Sequence, residues 1–147
     1  MKTELKPIGV IHSPYKAKEE VPIQASRSDE EGEIEVFEEY APGLKDLKGF
    51  SHIIILYIFH ESDGYELSVK PFLDNEPRGV FATRAPGRPN PIGLSIVGLI
   101  EIRKNVLKVR GIDVIDGTPL LDIKPYVPEF DQREGVKIGW LKEKLRK

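Results

Sequence analysis

The sequence predicts an all-β barrel with short helical turns. Two observations carry that expectation. Apolar or alternating runs of strand length recur at short spacing, and twelve prolines and thirteen glycines punctuate a chain of 147 residues. A third supports it by absence: no G-x-G-x-x-G opens a helix after a strand, and no G-x-x-x-x-G-K-[ST] occurs. Neither a dinucleotide crevice nor a P-loop is therefore indicated. No repeat, low-complexity tract or linker divides the chain, so it reads as a single domain over 1–147.

Taken in order, Leu5 to Ser13 reads as a first strand stopped by Ser13-Pro14, and Pro14 to Gly32 as an acidic loop containing Pro22. Glu33 to Phe37 alternates charged and apolar residues, as a half-buried strand does. Pro42-Gly43 opens a turn or short helix to Leu47. Phe50 to Phe59 holds seven consecutive apolar residues, Ile53 to Phe59, and is expected to be a central strand buried on both faces. Gly79 to Thr83 is a short strand. Ile92 to Arg103 and Val106 to Ile115 form a hairpin through Lys104-Asn105. Pro119 to Lys124 is extended, and only Trp140 to Arg146 looks helical.

Composition narrows the function. With 39% hydrophobic and 31% charged residues the chain has a soluble globular balance. It has no apolar run near the ~18 residues of a membrane span and no signal-peptide core, so a cytoplasmic location is expected. Cysteine is absent, which excludes disulfides, thiolate metal sites and cysteine nucleophiles. Charge is unevenly spread. Glu19 to Asp46 carries ten acidic and two basic residues, whereas Glu76 to Gly111 carries seven basic and two acidic ones, and the last eight residues are basic again. A shared basic face would suit RNA; ordinary solvated strand faces would give the same count.

Three passages could carry chemistry. In Phe81 to Ser95, Pro86, Pro89 and Pro91 stiffen the backbone, so Arg84, Arg88 and Asn90 are held at low entropic cost. A plain connector with solvated arginines is the alternative. In Gly111 to Pro128, Asp113, Asp116 and Asp122 lie close together. They are candidates for a base or a ribose contact, while Asp116-Gly117 is equally a turn former. His60-Glu61 ends the apolar run and suits the rim of a pocket. His52, eight residues before His60, would share its face on a regular strand. His12, His52 and His60 lack zinc-site spacing, so no metal is expected.

Together these passages resemble the TsaA-like family of S-adenosylmethionine-dependent tRNA methyltransferases. The residues that carry the resemblance are IGVIHSPY (Ile8–Tyr15), Val21-Pro22-Ile23-Gln24, FSHIIILYIFH (Phe50–His60), GVFATRAPGRPNPIGLS (Gly79–Ser95) and DVIDGTPLLDIKPY (Asp113–Tyr126). The resemblance implies a small antiparallel β-barrel forming a homodimer, with S-adenosyl-L-methionine near the subunit interface. It implies methylation of N6 of threonylcarbamoyladenosine beside the tRNA anticodon. Carried over residue by residue, cofactor contacts are expected from Pro22, Ile23, Gln24, His60, Glu61, Arg84, Leu94, Ile115, Asp116, Gly117 and Thr118. His60 and Asp113 are the expected proton acceptors, and Arg88 and Asn90 the expected RNA contacts. The family commonly has Pro-Arg-Gln where Pro22-Ile23-Gln24 stands here, and a bulkier residue in place of Gly87. A methyltransferase of a small molecule and a non-catalytic nucleoside- or RNA-binding barrel are the competing expectations.

Overall fold

The computed structural model describes residues 1–21, 29–72 and 74–145. Among these residues there are eight strands, β1 (Gly9–His12), β2 (Glu31–Val36), β3 (His52–Ile58), β4 (Ser68–Val69), β5 (Arg78–Gly79), β6 (Ile92–Arg103), β7 (Val106–Arg110) and β8 (Thr118–Pro125). The chain divides into two compact units. The first comprises Met1–Glu61 with Ile92–Tyr126, and the second Ser62–Pro91 with Val127–Lys147.

The first unit is a closed barrel in the order β1-β2-β7-β6-β3-β8, every pair antiparallel. Alternation builds its interior, because successive side chains on a strand point to opposite faces. On β3, Ile53, Ile55 and Tyr57 are buried, and on β2 Ile34 and Val36; Ile11, Val97, Leu107, Val109, Ile112 and Leu120 complete the filling. The expectation that β3 is buried on both faces is corrected here. Ile54, Leu56 and Ile58 point outward and are only half-buried, because a barrel strand has one interior face and nothing in the described chain covers the other.

Several boundaries also move. β1 is shorter than Leu5–Ser13, since pairing partners exist only opposite Glu33–Val36 and Thr118–Leu120; Ile8 adds flanking bonds to Leu120 and Phe37. β2 starts two residues before Glu33. Of the strand expected at Gly79–Thr83 only Gly79 pairs. Val80–Ala82 is a 3-10 turn, with Val80 N–H bonded to the Leu67 carbonyl and Thr83 N–H to the Val80 carbonyl. β7 ends at Arg110 instead of Ile115, because Gly111 takes φ 92° and turns the chain. The β6–β7 hairpin does turn at Lys104-Asn105, and the Asn105 side chain donates to the Val36 carbonyl at 2.7 Å. β8 runs from Thr118 to Pro125 and is a full barrel strand between β1 and β3. The expected turn near Pro42-Gly43 is a pair of 3-10 segments, Glu38–Leu44 and Leu47–Gly49.

The second unit contains the β4–β5 ladder, α1 (Pro128–Asp131) and α2 (Lys142–Leu145), the latter preceded by a 3-10 turn at Gly139–Leu141. A polar latch organises it. Asp74, its side chain only 3% exposed, accepts Arg78 Nη2 and Nε at 2.5 and 2.6 Å and lies 3.5 Å from Lys144 Nζ. The Arg78 guanidinium also sits 5.4 Å from the Trp140 ring centroid, and Trp140 Nε1 donates to the Ala82 carbonyl at 2.9 Å. Burial pushes the Asp74 carboxyl upward. The Arg78 hydrogen bond and the N–H groups of Glu76 and Asn75 outweigh it and hold the group at about 2. Because the folded value lies below the ordinary 3.8, the latch is complete above that pH and is lost as pH falls toward 2. Fluorescence of Trp140, the one tryptophan, should report a transition in that window. Asp74→Asn should show the released signal already at neutral pH. Among the described residues, no helix is long and apolar enough to cross a membrane.

Candidate active site at one end of the barrel

Antiparallel pairing gathers specific strand ends. Tyr57 lies opposite Gly93 and Leu120, Ile11 opposite Thr118, and His12 opposite Glu33. The end of β3, the start of β6, the connection leading into β8 and the end of β1 therefore share one rim. That rim carries His60 and Glu61, Leu94, Asp113, and the Ile115–Thr118 turn. Four of the expected groups, His60-Glu61, Leu94, Asp113 and the Ile115–Thr118 turn, thus come to one end of one barrel. Pro22, Ile23 and Gln24 lie outside the described residues. Arg84, Arg88 and Asn90 belong to the second unit.

Individual roles differ from their promise in sequence. His60 and Glu61 are exposed just beyond β3, which ends at Ile58; His60 N–H bonds the Ile58 carbonyl in a turn. The regular strand that would have placed His52 and His60 on one face is therefore interrupted. Leu94 points outward from β6, 44% exposed and opposite Leu56. Asp113 is half-buried and accepts the Ser95 hydroxyl at 2.7 Å.

The Ile115–Thr118 turn is tied into the barrel. Asp116 N–H bonds the Tyr15 carbonyl, Gly117 N–H the Ile11 carbonyl, and Thr118 N–H and Oγ1 the Ile115 carbonyl. Gly117 takes φ 87°, a left-handed conformation that suits glycine. With these three N–H groups committed, donors to a ligand must come from elsewhere. The Asp116 carboxylate accepts Lys16 Nζ at 2.9 Å and the Ser13 N–H at 3.0 Å, and the Lys16 ammonium and Ser13 amide hold its pKa below the usual range. It is a turn former, as the dipeptide suggests, but it bonds the backbone of the β1 exit instead of its own. Replacing it with asparagine should cost about 1–2 kcal/mol by denaturant unfolding, the loss of a charge-assisted, part-exposed pair of bonds.

In the second unit the proline-rich loop is stiff, and hydrogen bonds add to that stiffness. Arg88 Nη1 donates to the Thr83 and Ala85 carbonyls at 2.9 and 3.1 Å, and Ser62 Oγ to the Pro86 carbonyl at 3.2 Å. Arg88 thus clamps its own loop, while Arg84 and Asn90 are exposed. Sequence reasoning missed Tyr57 and Ser95. A serine between Gly93 and Val97 at inward parity was the available signal, because a hydroxyl inside an aliphatic barrel needs a partner. Among the described residues no His, Asp and Glu group is arranged to hold a metal ion. Two shallow clefts, one at Glu33, Glu101, Arg103 and Lys108 and one at Leu44, Asp46, Ile123 and Pro125, include none of the expected site residues.

The first unit is thus a small closed antiparallel barrel with polar groups collected at one rim. The match to known proteins is specific: residues 10–132 fit the model of the tRNA-methyltransferase O N-terminal domain. The chain belongs to that family. It is 58% identical over 143 residues to a probable S-adenosyl-L-methionine-binding protein of Pyrococcus abyssi, covering 97% of this chain and 78% of the relative. It is 43% identical over 136 residues to the Escherichia coli tRNA (adenine(37)-N6)-methyltransferase, covering 85% of this chain and 58% of that enzyme. The crystal structure of TrmO from Pseudomonas aeruginosa superposes with a TM-score of 0.80 at 36% identity, over 95% of this chain and 63% of the other. The chain thus spans under two-thirds of the length of those two enzymes.

Proposed function

We propose that this protein is an S-adenosyl-L-methionine-dependent tRNA methyltransferase. In this reading it acts on N6 of threonylcarbamoyladenosine beside the anticodon and works as a homodimer. The observation that carries the reading is that His60-Glu61, Leu94, Asp113 and the Ile115–Thr118 turn, all from family-matching blocks, meet at one barrel rim, with carboxylates and an apolar surface side by side. Bound there, the cofactor would supply a methyl group on a cationic sulfur, displaced in line by the acceptor nitrogen.

The residues fit such a ligand. Asp113 and Glu61 provide negative charge for a cationic, amphipathic molecule, and Leu94 with Leu56 provides apolar surface for its uncharged parts. In the second unit, Arg84 stands exposed on its stiff loop, a guanidinium of the kind that suits a carboxylate or phosphate. Since the reaction neutralises charge at sulfur, alignment and exclusion of water do much of the work, and removal of the N6 proton remains for a side chain. Asp113, fixed by Ser95, is better prepared for that than exposed His60.

The homodimer reading is supported by the outer wall of β3 and β6. There Ile58 faces Ile92, Leu56 faces Leu94, and Ile54 faces Ile96, with the three β6 residues 38–44% exposed. Such an uncharged aliphatic ladder is what a self-complementary interface needs.

Calorimetric titration of S-adenosyl-L-methionine should show micromolar binding at one site per chain. Labelled methyl transfer should then require tRNA bearing threonylcarbamoyladenosine. Tight cofactor binding without transfer to that tRNA would favour a small-molecule acceptor or a binding-only barrel.

A further inference from the structure

We infer that Tyr57 and Ser95 are positioning residues that aim the Asp113 carboxylate at the acceptor nitrogen, an inference that rests on the methyl-transfer reading. Ser95 is 2% and Tyr57 3% exposed, both on inward positions of a largely aliphatic barrel. Ser95 Oγ lies 2.7 Å from Asp113 Oδ1 and 2.7 Å from Tyr57 Oη. Each hydroxyl has one proton to donate, and an ionised carboxylate can only accept. With the serine proton given to Asp113, the tyrosine proton must go to Ser95. The two protons then point in one direction, from Tyr57 through Ser95 to Asp113.

Tyr57, the end of the relay away from Asp113, is itself held. The Tyr57 ring packs edge-on against Phe59, centroids 5.5 Å apart, and both rings lie over Gly93. A Cβ at position 93 would collide with the Tyr57 ring and come within 2.7 Å of Phe59 Cζ, so only glycine leaves room for this arrangement. Phenylalanine at 57 with alanine at 95 would bury no polar group at all. The relay instead connects two buried hydroxyls to a half-buried carboxylate, and a chain of charge-assisted bonds fixes that carboxylate's direction. During transfer the new C–N bond forms from the N6 lone pair as the C–S bond breaks, its electrons passing to sulfur. The proton left on N6 passes to Asp113 and then to water.

The test is a double-mutant cycle with kcat on modified tRNA and cofactor Kd read separately. Ser95→Ala should lower kcat about 10- to 100-fold, with Kd unchanged within about twofold. Tyr57→Phe should lower it less, and the double variant should be no slower than Ser95→Ala, because Tyr57 acts only through Ser95. Ser95→Thr, which keeps the hydroxyl, should restore most of the rate. Multiplying losses, a Kd that rises in step with the kcat loss, or an unchanged kcat in Ser95→Ala would each overturn the inference while leaving an active wild type. A wild type that transfers no methyl group overturns the functional reading itself, and the role given to the relay with it.

Discussion

Gly9→Ala should open the seam of the barrel. Gly9 is paired on both sides, with Val36 of β2 and Leu120 of β8, in the shortest barrel strand. A Cβ there would overlap the Glu35 carbonyl oxygen and stand 3.1 Å from both Glu35 C and Val36 Cα. All three are backbone atoms of a paired strand, so no side chain can swing aside. Either β2 moves, breaking register with β7, or β1 leaves the ladder. Overpacking against backbone at a closure point should cost about 3 kcal/mol or more. For a chain of this size that lowers Tm by roughly 10 °C. Far-UV circular dichroism follows the barrel, whereas Trp140 lies in the second unit. Gly43→Ala is the matched control, since nothing lies within 4 Å of a Cβ at that site. Equal stability of the two variants would mean that β1 does not close the barrel as described.

What could be read from the sequence followed the range of the interactions. β3 announced itself because Ile53 to Phe59 is one uninterrupted apolar run. Its two faces could not be told apart, since the run contains no polar residue to mark the outer one. The β6–β7 hairpin was legible at Lys104-Asn105 because its turn is local. The end of β7 was not, because Gly111 stops it by a backbone angle. Pro86, Pro89 and Pro91 foretold a stiff loop, yet that Arg88 folds back on Thr83 and Ala85 depends on side-chain geometry no spacing reveals. Asp116 showed both characters in sequence, turn former and candidate ligand. The decisive partners, Ser13 and Lys16, are about a hundred residues away. In the Asp74–Arg78–Lys144 latch the first two are only four residues apart, but Lys144 and Trp140, which complete it, lie far along the chain. Asp113 was named from its motif, but its bond to Ser95 joins residues eighteen apart, and Tyr57 meets Ser95 only through the pairing of β3 on β6.

Ile96→Glu should convert the assembled protein to a monomer. Ile96 is 42% exposed, faces Ile54 across the strands, and adjoins the Leu56–Leu94 pair, yet it is not among the expected site residues. If two copies meet through this wall, a carboxylate at its centre is desolvated against aliphatic carbon in both, once from each side of the symmetry axis. Disruption of a central interface position should weaken association by about 100-fold or more, so light scattering at micromolar concentration should report half the wild-type mass. Lys108→Glu, on the polar β2–β7 wall, should leave the mass unchanged. The variant also decides where the cofactor pocket is completed. Leu94 is on the same wall and one residue from the buried Ser95, so a partner covering Ile96 would cover Leu94 as well. A monomeric Ile96→Glu that binds S-adenosyl-L-methionine as tightly as the wild type would place the whole pocket within one chain. A parallel loss of mass and affinity would make the second subunit part of the site. A wild type that is already monomeric under these conditions would leave the aliphatic wall without the partner proposed for it, and the homodimer reading would fall.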